Sequence, residues 1–256
     1  MQSRIHGLWW RDYHQPSTPF HIKTKDGVTL HGLHFKTGHD TLVIYCHGFL
    51  SNTHYLTIPH FVELLAEDAD VIVFDFRGHG ESTGATTLGD KELYDVQAIV
   101  DYAQSFNYRH TVLVGSSMGG AVAIRYAAES PEVAGVATIG AYADTNFGLL
   151  SNSAVSLFRV PVTHHVVRAV RKTHVHSVTP STMPKDVVQK ISPRPLLLIH
   201  GALDPIVHPR HAHELYQRAH KPKQLVLIPR GSHDISNLNR STKNRIVEWM
   251  KKEIGE

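Results

Sequence analysis

One cysteine, Cys46, is present in 256 residues, so no internal disulfide can form, and its place in an apolar run reads as a small buried hydrophobe. Such sparing use fits a reducing compartment. An excess of one charge is also missing: the net charge is +3 with neutral histidines, too small to argue for a nucleic-acid partner. Long apolar runs are absent. The longest stretch without Asp, Glu, Lys or Arg, Thr41 to Val62, is broken by His47, Ser51, Asn52, His54 and Pro59 and does not read as a bilayer span. Residues 1–20 hold Arg4, Arg11 and two tryptophans but no apolar run of signal-peptide length. The expectation is a cytoplasmic chain without an integral membrane segment. No repeat or low-complexity tract is visible, and the sequence leaves the oligomeric state open.

What is present is an alternation of β-type and helical patterns. Residues 1–19 have no clear period, and Trp9, Trp10 and Tyr13 are expected to pack on the domain edge. Phe20 to Thr24 and Thr29 to Phe35 flank Lys25-Asp26-Gly27 and read as a hairpin. Thr41 to Cys46, apolar almost throughout, reads as a central strand. Pro59 to Ala66 reads as helix, Val71 to Phe76 as strand, and Asp90 to Phe106 as helix with Leu93, Val96, Ile99 and Val100 on one face. Val133 to Ile139 is a further strand. Residues 141 to about 190 then show helical pieces broken by Pro161, Pro180 and Pro184, without a strand pattern, and are expected to form a lid. Alternation resumes with strand 195–200, helix 210–219, strand 224–228 and helix 240–252. Such an order predicts an α/β fold: one domain over 1–256, with a mostly parallel sheet of about eight strands covered on both faces.

The most informative stretch is His110 to Arg125, HTVLVGSSMGGAVAIR. Thr111 to Val114 reads as a buried parallel strand. Gly115-Ser116-Ser117-Met118-Gly119 fits G-x-S-x-G, a strand-to-helix turn so sharp that its central serine is strained and exposed. The Met118 N–H at the helix start lacks an intrahelical acceptor, and the helix dipole there favours negative charge, as an oxyanion requires.

In a parallel sheet the chemistry gathers where strands end. Ser117 follows the fifth strand, Asp204 the seventh and His233 the eighth. A serine hydroxyl is a weak nucleophile and needs a base, and that base needs a partner to fix its tautomer. The order Ser, Asp, His accompanies this type of turn. A second oxyanion donor is expected from the loop after the third strand, where Gly48 lets the backbone approach and the Phe49 N–H can point inward.

Taken together, His47-Gly48-Phe49, Asp75 to Ser82, Gly115 to Gly119, Gly201 to Asp204 and His233 resemble the α/β-hydrolase superfamily over residues 20–253. The chain is most similar to its small carboxylesterase, acylglycerol-lipase and serine-aminopeptidase-like members. The resemblance implies Ser117 as nucleophile, His233 as general base and acid, Asp204 as its orienter, and Phe49 and Met118 as oxyanion donors. It implies a small-molecule acyl ester as substrate and no cofactor. Ser117 excludes the branches with an aspartate nucleophile, and only one glycine follows His47, unlike the glycine-rich loop of some lipases.

Alternatives remain at this point. Asp144, after the sixth strand, is a rival to Asp204. Amide, peptide or thioester hydrolysis would use the same groups, and a ligand-binding module without turnover is a different class. His208, His211 and His213, or His174 and His176, are poor metal ligands by spacing. Arg77 to Ser82 lacks the spacing and lysine of a phosphate loop and reads as a structural turn. Between 151 and 190, Arg159, Arg168, Arg171, Lys172, Lys185 and Lys190 face Asp186 alone, a net +5; the plain reading is a solvated lid with an apolar underside, and the sharper one is recruitment of anionic acyl substrates or of an acidic surface.

Overall fold

The computed structural model describes residues 10–146, 173–176 and 180–255. Most of the expected lid, 147–172 and 177–179, and Trp9 lie outside the described residues. Eight strands form one sheet: β1 Thr18–Lys23, β2 Thr29–Phe35, β3 Thr41–Cys46, β4 Asp70–Phe74, β5 His110–Ser116, β6 Gly135–Ile139, β7 Leu196–Gly201 and β8 Lys223–Ile228. Their spatial order is β1-β2-β4-β3-β5-β6-β7-β8. The β1–β2 and β2–β4 pairs are antiparallel, and every other pair is parallel.

The helices are α1 Ile58–Leu65, α2 Glu92–Gln104, α3 Met118–Glu129, α4 Pro184–Val187, α5 Arg210–Arg218, α6 Asp234–Asn237 and α7 Arg240–Glu253, with a 3₁₀ turn at Val188–Ile191. Successive strand residues point to opposite faces, so a strand covered on both sides must be apolar at every position. In β3, Leu42, Ile44 and Cys46 pack with Val96, Ile99 and Val100 of α2 and Ala121 to Ala127 of α3. Val43 and Tyr45 point the other way, into a second core with Phe61 and Val62 of α1 and Ile246, Trp249 and Met250 of α7. Cys46 is fully buried and free, and burial pushes its thiol pKa up.

Element ends shift by one or two residues at several places, and three departures bear on how the chain packs. β1 begins at Thr18 and pairs Thr18 with His34, two residues inside the stretch expected to be irregular. It is an edge strand, where a proline such as Pro19 removes no ladder bond that the sheet needs. Helix α2 starts at Glu92, two residues after the expected Asp90. The buried Glu92 carboxylate accepts from Thr86 Oγ1 and Thr87 Oγ1 (both 2.6 Å) and from the N–H groups of Thr87 and Gly89 (both 2.8 Å), tying the preceding loop to the helix start. Within the segment expected to have no strand character, Val175 makes an isolated parallel bridge with Thr86. There the His176 N–H donates to Thr86 O (2.8 Å) and the Thr86 N–H to His174 O (2.7 Å).

At the edge, Trp10 stacks on His54 with centroids 4.0 Å apart and the Tyr13 hydroxyl donates to Thr53 O (2.6 Å). No helix among the described residues is long and apolar enough to cross a membrane.

Candidate active site

β5 ends in Ser116, and Ser117 sits at the N-terminus of α3 with φ 50° and ψ −116°, a strained conformation for a residue with a side chain. Its N–H donates to Ile139 O on β6 (2.9 Å), and its C=O accepts from Ala121 (3.1 Å), so both peptide groups of the turn are tied down. Gly119 allows this closeness. A Cβ there would lie 2.1 Å from Cys46 O, at the end of β3. The first turn of α3 therefore rests directly on the end of β3, which brings the Met118 backbone to the same sheet end as Phe49.

Asp204 lies in a turn after β7. Gly201 lets the backbone of residues 231–232 approach, since a Cβ there would be 2.1 Å from Ser232 O. This close pass joins the loops after β7 and β8 and carries Asp204 to His233. Asp204 Oδ2 accepts from His233 Nδ1 at 2.7 Å, and His233 Nε2 is 3.1 Å from Ser117 Oγ. The Nδ1 proton is thereby assigned, leaving the Nε2 lone pair toward the serine. Asp204 Oδ1 accepts from the Ile206 and Val207 N–H groups at 2.8 and 2.9 Å. Burial alone would raise the Asp204 pKa, but the nearby His200 ring, the hydrogen bond from His233 and that from the Val207 N–H outweigh it. The carboxyl is held well below the usual carboxylate range. Ser117 and His233 are half-buried and Asp204 is buried, so the serine hydroxyl is reachable while the carboxyl bonded to His233 is shielded from water.

Asp144 is directed elsewhere. Its Oδ2 lies 2.6 Å from Lys185 Nζ and its Oδ1 3.9 Å from His211 Nδ1. His211 is buried, with its pKa pushed down to about 4 by burial, and its ring accepts from the Ala143 N–H (3.2 Å) and donates to Asn146 O (3.1 Å). His208 and His213 are exposed, and no cluster of three or more potential metal ligands occurs among the described residues.

Several polar groups around the site escape sequence reasoning. His200 is buried on β7 and donates from Nε2 to Val207 O at 2.7 Å, with Asp204 Oδ2 at 3.4 Å. His47 and His79 are fully buried beneath the loop that carries Phe49. His200 stands four residues before an acid, and His47 and His79 stand beside glycines in stretches that carry the family resemblance; neither signal gives them a role or separates them from other core histidines. Arg77, in the turn read as structural, has its guanidinium bonded to Asp95 Oδ1 (2.9 and 2.7 Å) and to Asp26 (2.8 and 3.0 Å).

Comparison with known proteins gives a consistent result. Residues 41–163 match a family described as the alpha/beta hydrolase fold, and residues 182–237 match one described as serine aminopeptidase, S33. The uncharacterized protein YfhR of Escherichia coli is 28% identical over 196 residues, 75% of this chain and 62% of that protein. The chain thus spans under two thirds of that relative's length. The uncharacterized protein YqkD of Bacillus subtilis is 27% identical over 248 residues, covering 90% of this chain and 78% of that protein. Among solved structures, the esterase Pf2001 of Pyrococcus furiosus superposes with a TM-score of 0.77 at 26% identity, over 94% of this chain and 92% of that one. The alpha/beta hydrolase GrgF from Penicillium has a TM-score of 0.78 at 18% identity, over 94% and 100%, and is similar in fold.

Proposed function

Because this chain belongs to the α/β-hydrolase superfamily, we propose that it is a serine hydrolase that cleaves carboxylic esters through an acyl-enzyme on Ser117. The observation that carries this reading is the unbroken chain of contacts from Asp204 through His233 to Ser117 Oγ. In the first half-reaction His233 Nε2 takes the hydroxyl proton as Ser117 Oγ bonds to the ester carbonyl carbon. The Phe49 and Met118 N–H groups receive the oxyanion. Collapse breaks the bond to the leaving oxygen, which takes the proton from His233. Water then repeats the sequence on the acyl-enzyme: His233 removes its proton, its oxygen bonds to the carbonyl carbon, and Ser117 leaves with that proton. No step calls for a cofactor, and a small acyl ester is the substrate class.

Likeness to the Pyrococcus esterase favours esters. The match of 182–237 to serine aminopeptidases favours a second reading, amide or peptide hydrolysis by the same groups.

Intact-mass labelling with a fluorophosphonate tests the reading. Wild type is expected to gain one adduct, with Ser117→Ala and His233→Ala unlabelled over the same interval. An unlabelled, folded wild type would overturn the serine mechanism. Parallel ester, thioester and amide substrates of one acyl chain then rank the bond classes.

A pH profile is a second test. Asp204 stays ionised well below the usual carboxylate range, so protonation of the His233 base alone should shape the acid limb. An unperturbed imidazole titrates at about pH 6.5. kcat/KM is therefore expected to fall tenfold per pH unit on the acid side, one proton at a time; a flat profile from about pH 5 to about pH 8 would remove His233 from the role of base.

A further inference from the structure

The loop after β3 is built in an unusual way for the task proposed for it. Gly48 to Ser51 forms a turn closed by the Ser51 N–H on Gly48 O at 3.2 Å. Leu50, its third residue, has φ 60°, while Phe49 is not among the residues of positive φ. That combination is the type II pattern, in which glycine ordinarily takes the third place because a side chain there is strained. The alternative, type I, turns the Phe49–Leu50 peptide over and relieves Leu50. Something must therefore hold that peptide plane.

Two buried histidines flank it. His47 Nε2 accepts from the Phe76 N–H (3.0 Å) while its Nδ1 donates to Gly48 O (2.8 Å). His79 Nε2 accepts from the Leu50 N–H (3.3 Å) while its Nδ1 donates to Arg77 O (3.0 Å). Amides only donate and carbonyls only accept, so each ring is neutral with its proton on Nδ1. The peptide planes on either side of Phe49 are thus each held by an imidazole, one through Gly48 O and one through Leu50 N–H. The two rings lie edge to face with centroids 5.1 Å apart, and the Phe49 ring meets His79 at 5.9 Å.

We propose that His79 is a positioning residue of the oxyanion hole, its Nε2 lone pair holding the strained Leu50 peptide so that the Phe49 N–H stays aimed at the reaction centre. This rests on the reading of Ser117 and Phe49 given above. Burial pushes the His79 pKa down to about 3, so the acceptor persists across the working pH range. Asp75 reinforces the arrangement from beneath, accepting from the Thr53 N–H (2.7 Å) and the Glu81 N–H (2.9 Å), one on each of the two loops.

The test separates the two nitrogens of one ring. His79→Gln keeps an acceptor at the position of Nε2; His79→Asn keeps a donor at the position of Nδ1 and loses that acceptor. With a p-nitrophenyl ester, His79→Asn is expected to lose about 10- to 100-fold in kcat with KM nearly unchanged, less than the loss of a whole oxyanion donor. His79→Gln should stay within roughly threefold of wild type. Adding Leu50→Gly to His79→Asn should recover about tenfold, because glycine takes φ 60° without a partner to enforce it.

A purely structural role through Arg77 would reverse the order, with Asn active and Gln impaired, and would overturn the proposal. So would equal losses in both variants, or no recovery by Leu50→Gly. Nitrogen NMR of wild type at neutral pH, which needs no variant to fold, should show His79 unprotonated at Nε2; a proton there would also overturn it. The fluorophosphonate adduct on wild type keeps the two readings apart. If the adduct forms but the order of His79 variants is wrong, the positioning role alone falls; without an adduct, the serine mechanism falls and takes this role with it.

Discussion

Ser117→Ala is expected to lower kcat by about six orders of magnitude, and Asp204→Asn by about four, in line with serine hydrolases whose three groups act as a unit. The inequality follows from the contacts. Removing Ser117 Oγ removes the bond-forming atom, and what remains is whatever the oxyanion donors contribute to direct attack by water. Asp204→Asn leaves the turn after β7 in place, since an amide oxygen can still accept from the Ile206 and Val207 N–H groups. What it loses is the charge opposite His233 Nδ1 at 2.7 Å. An amide NH₂ presented there would favour the imidazole tautomer with its proton on Nε2, which cannot take the serine proton. Because the groups share one pathway, Ser117→Ala combined with His233→Ala should be no slower than Ser117→Ala alone. Single-turnover kinetics on a p-nitrophenyl ester measures all three. Wild-type activity in Asp204→Asn would remove Asp204 from the site and return attention to Asp144.

Side chains whose burial is set by strand period are legible in the sequence itself. β3 could be read over Thr41–Cys46 to the residue because both of its faces are covered, so the apolar run and the strand coincide. Ser117, Asp204 and His233 could be read because each follows an apolar run that ends a parallel strand, and chain order fixes their sequence. Thr18 and Pro19 could not, because an edge strand makes no demand on hydrophobicity. The Val175 bridge to Thr86 is a pairing of backbone groups, which every residue owns equally. The bonding of His47, His79 and His200 is not legible for a related reason. Their partners are peptide groups brought near by the packing of loops, and nothing in composition or spacing separates a histidine bonded to a carbonyl from one that merely fills space. Glu92 lies between these cases: its acid at a helix start is a familiar signal, but its four bonds to the 86–89 loop depend on how that loop closes. The positive charge of 151–190 is plain in the sequence, whereas most of its fold lies outside the described residues.

Arg77→Ala should be the most destabilising single change outside the cores. The Arg77 side chain is 2% exposed and bridges Asp95, which is fully buried, to Asp26, which is partly exposed. Two carboxylates hold it charged and raise its pKa, outweighing its burial. Truncation leaves the Asp95 carboxylate in the interior with little beyond the Arg77 backbone N–H, and breaking a buried pair from one side costs about 3–5 kcal/mol. For a chain of this size each kcal/mol corresponds to roughly 2–4 °C, so Tm should fall by about 6–20 °C. The loss should depend on pH in a defined direction. Burial already outweighs the Arg77 bonds and raises the Asp95 pKa to about 7, and removing Arg77 raises it further. A carboxyl whose folded pKa exceeds its unfolded value adds most stability below the unfolded value and loses it as pH rises through the folded one. The deficit of Arg77→Ala against wild type should therefore be larger at pH 8 than at pH 5. Adding Asp95→Asn should recover part of it at pH 8 and little at pH 5. Arg240→Ala serves as the control: its pair with Glu67 is exposed, and screening by solvent should leave Tm unchanged. Calorimetry of these variants at the two pH values checks each expectation, and an equal deficit at both would show that Asp95 is not the group left stranded. Arg77 O also accepts from His79 Nδ1, so the residue that carries this salt bridge also holds the ring that accepts from the Leu50 N–H.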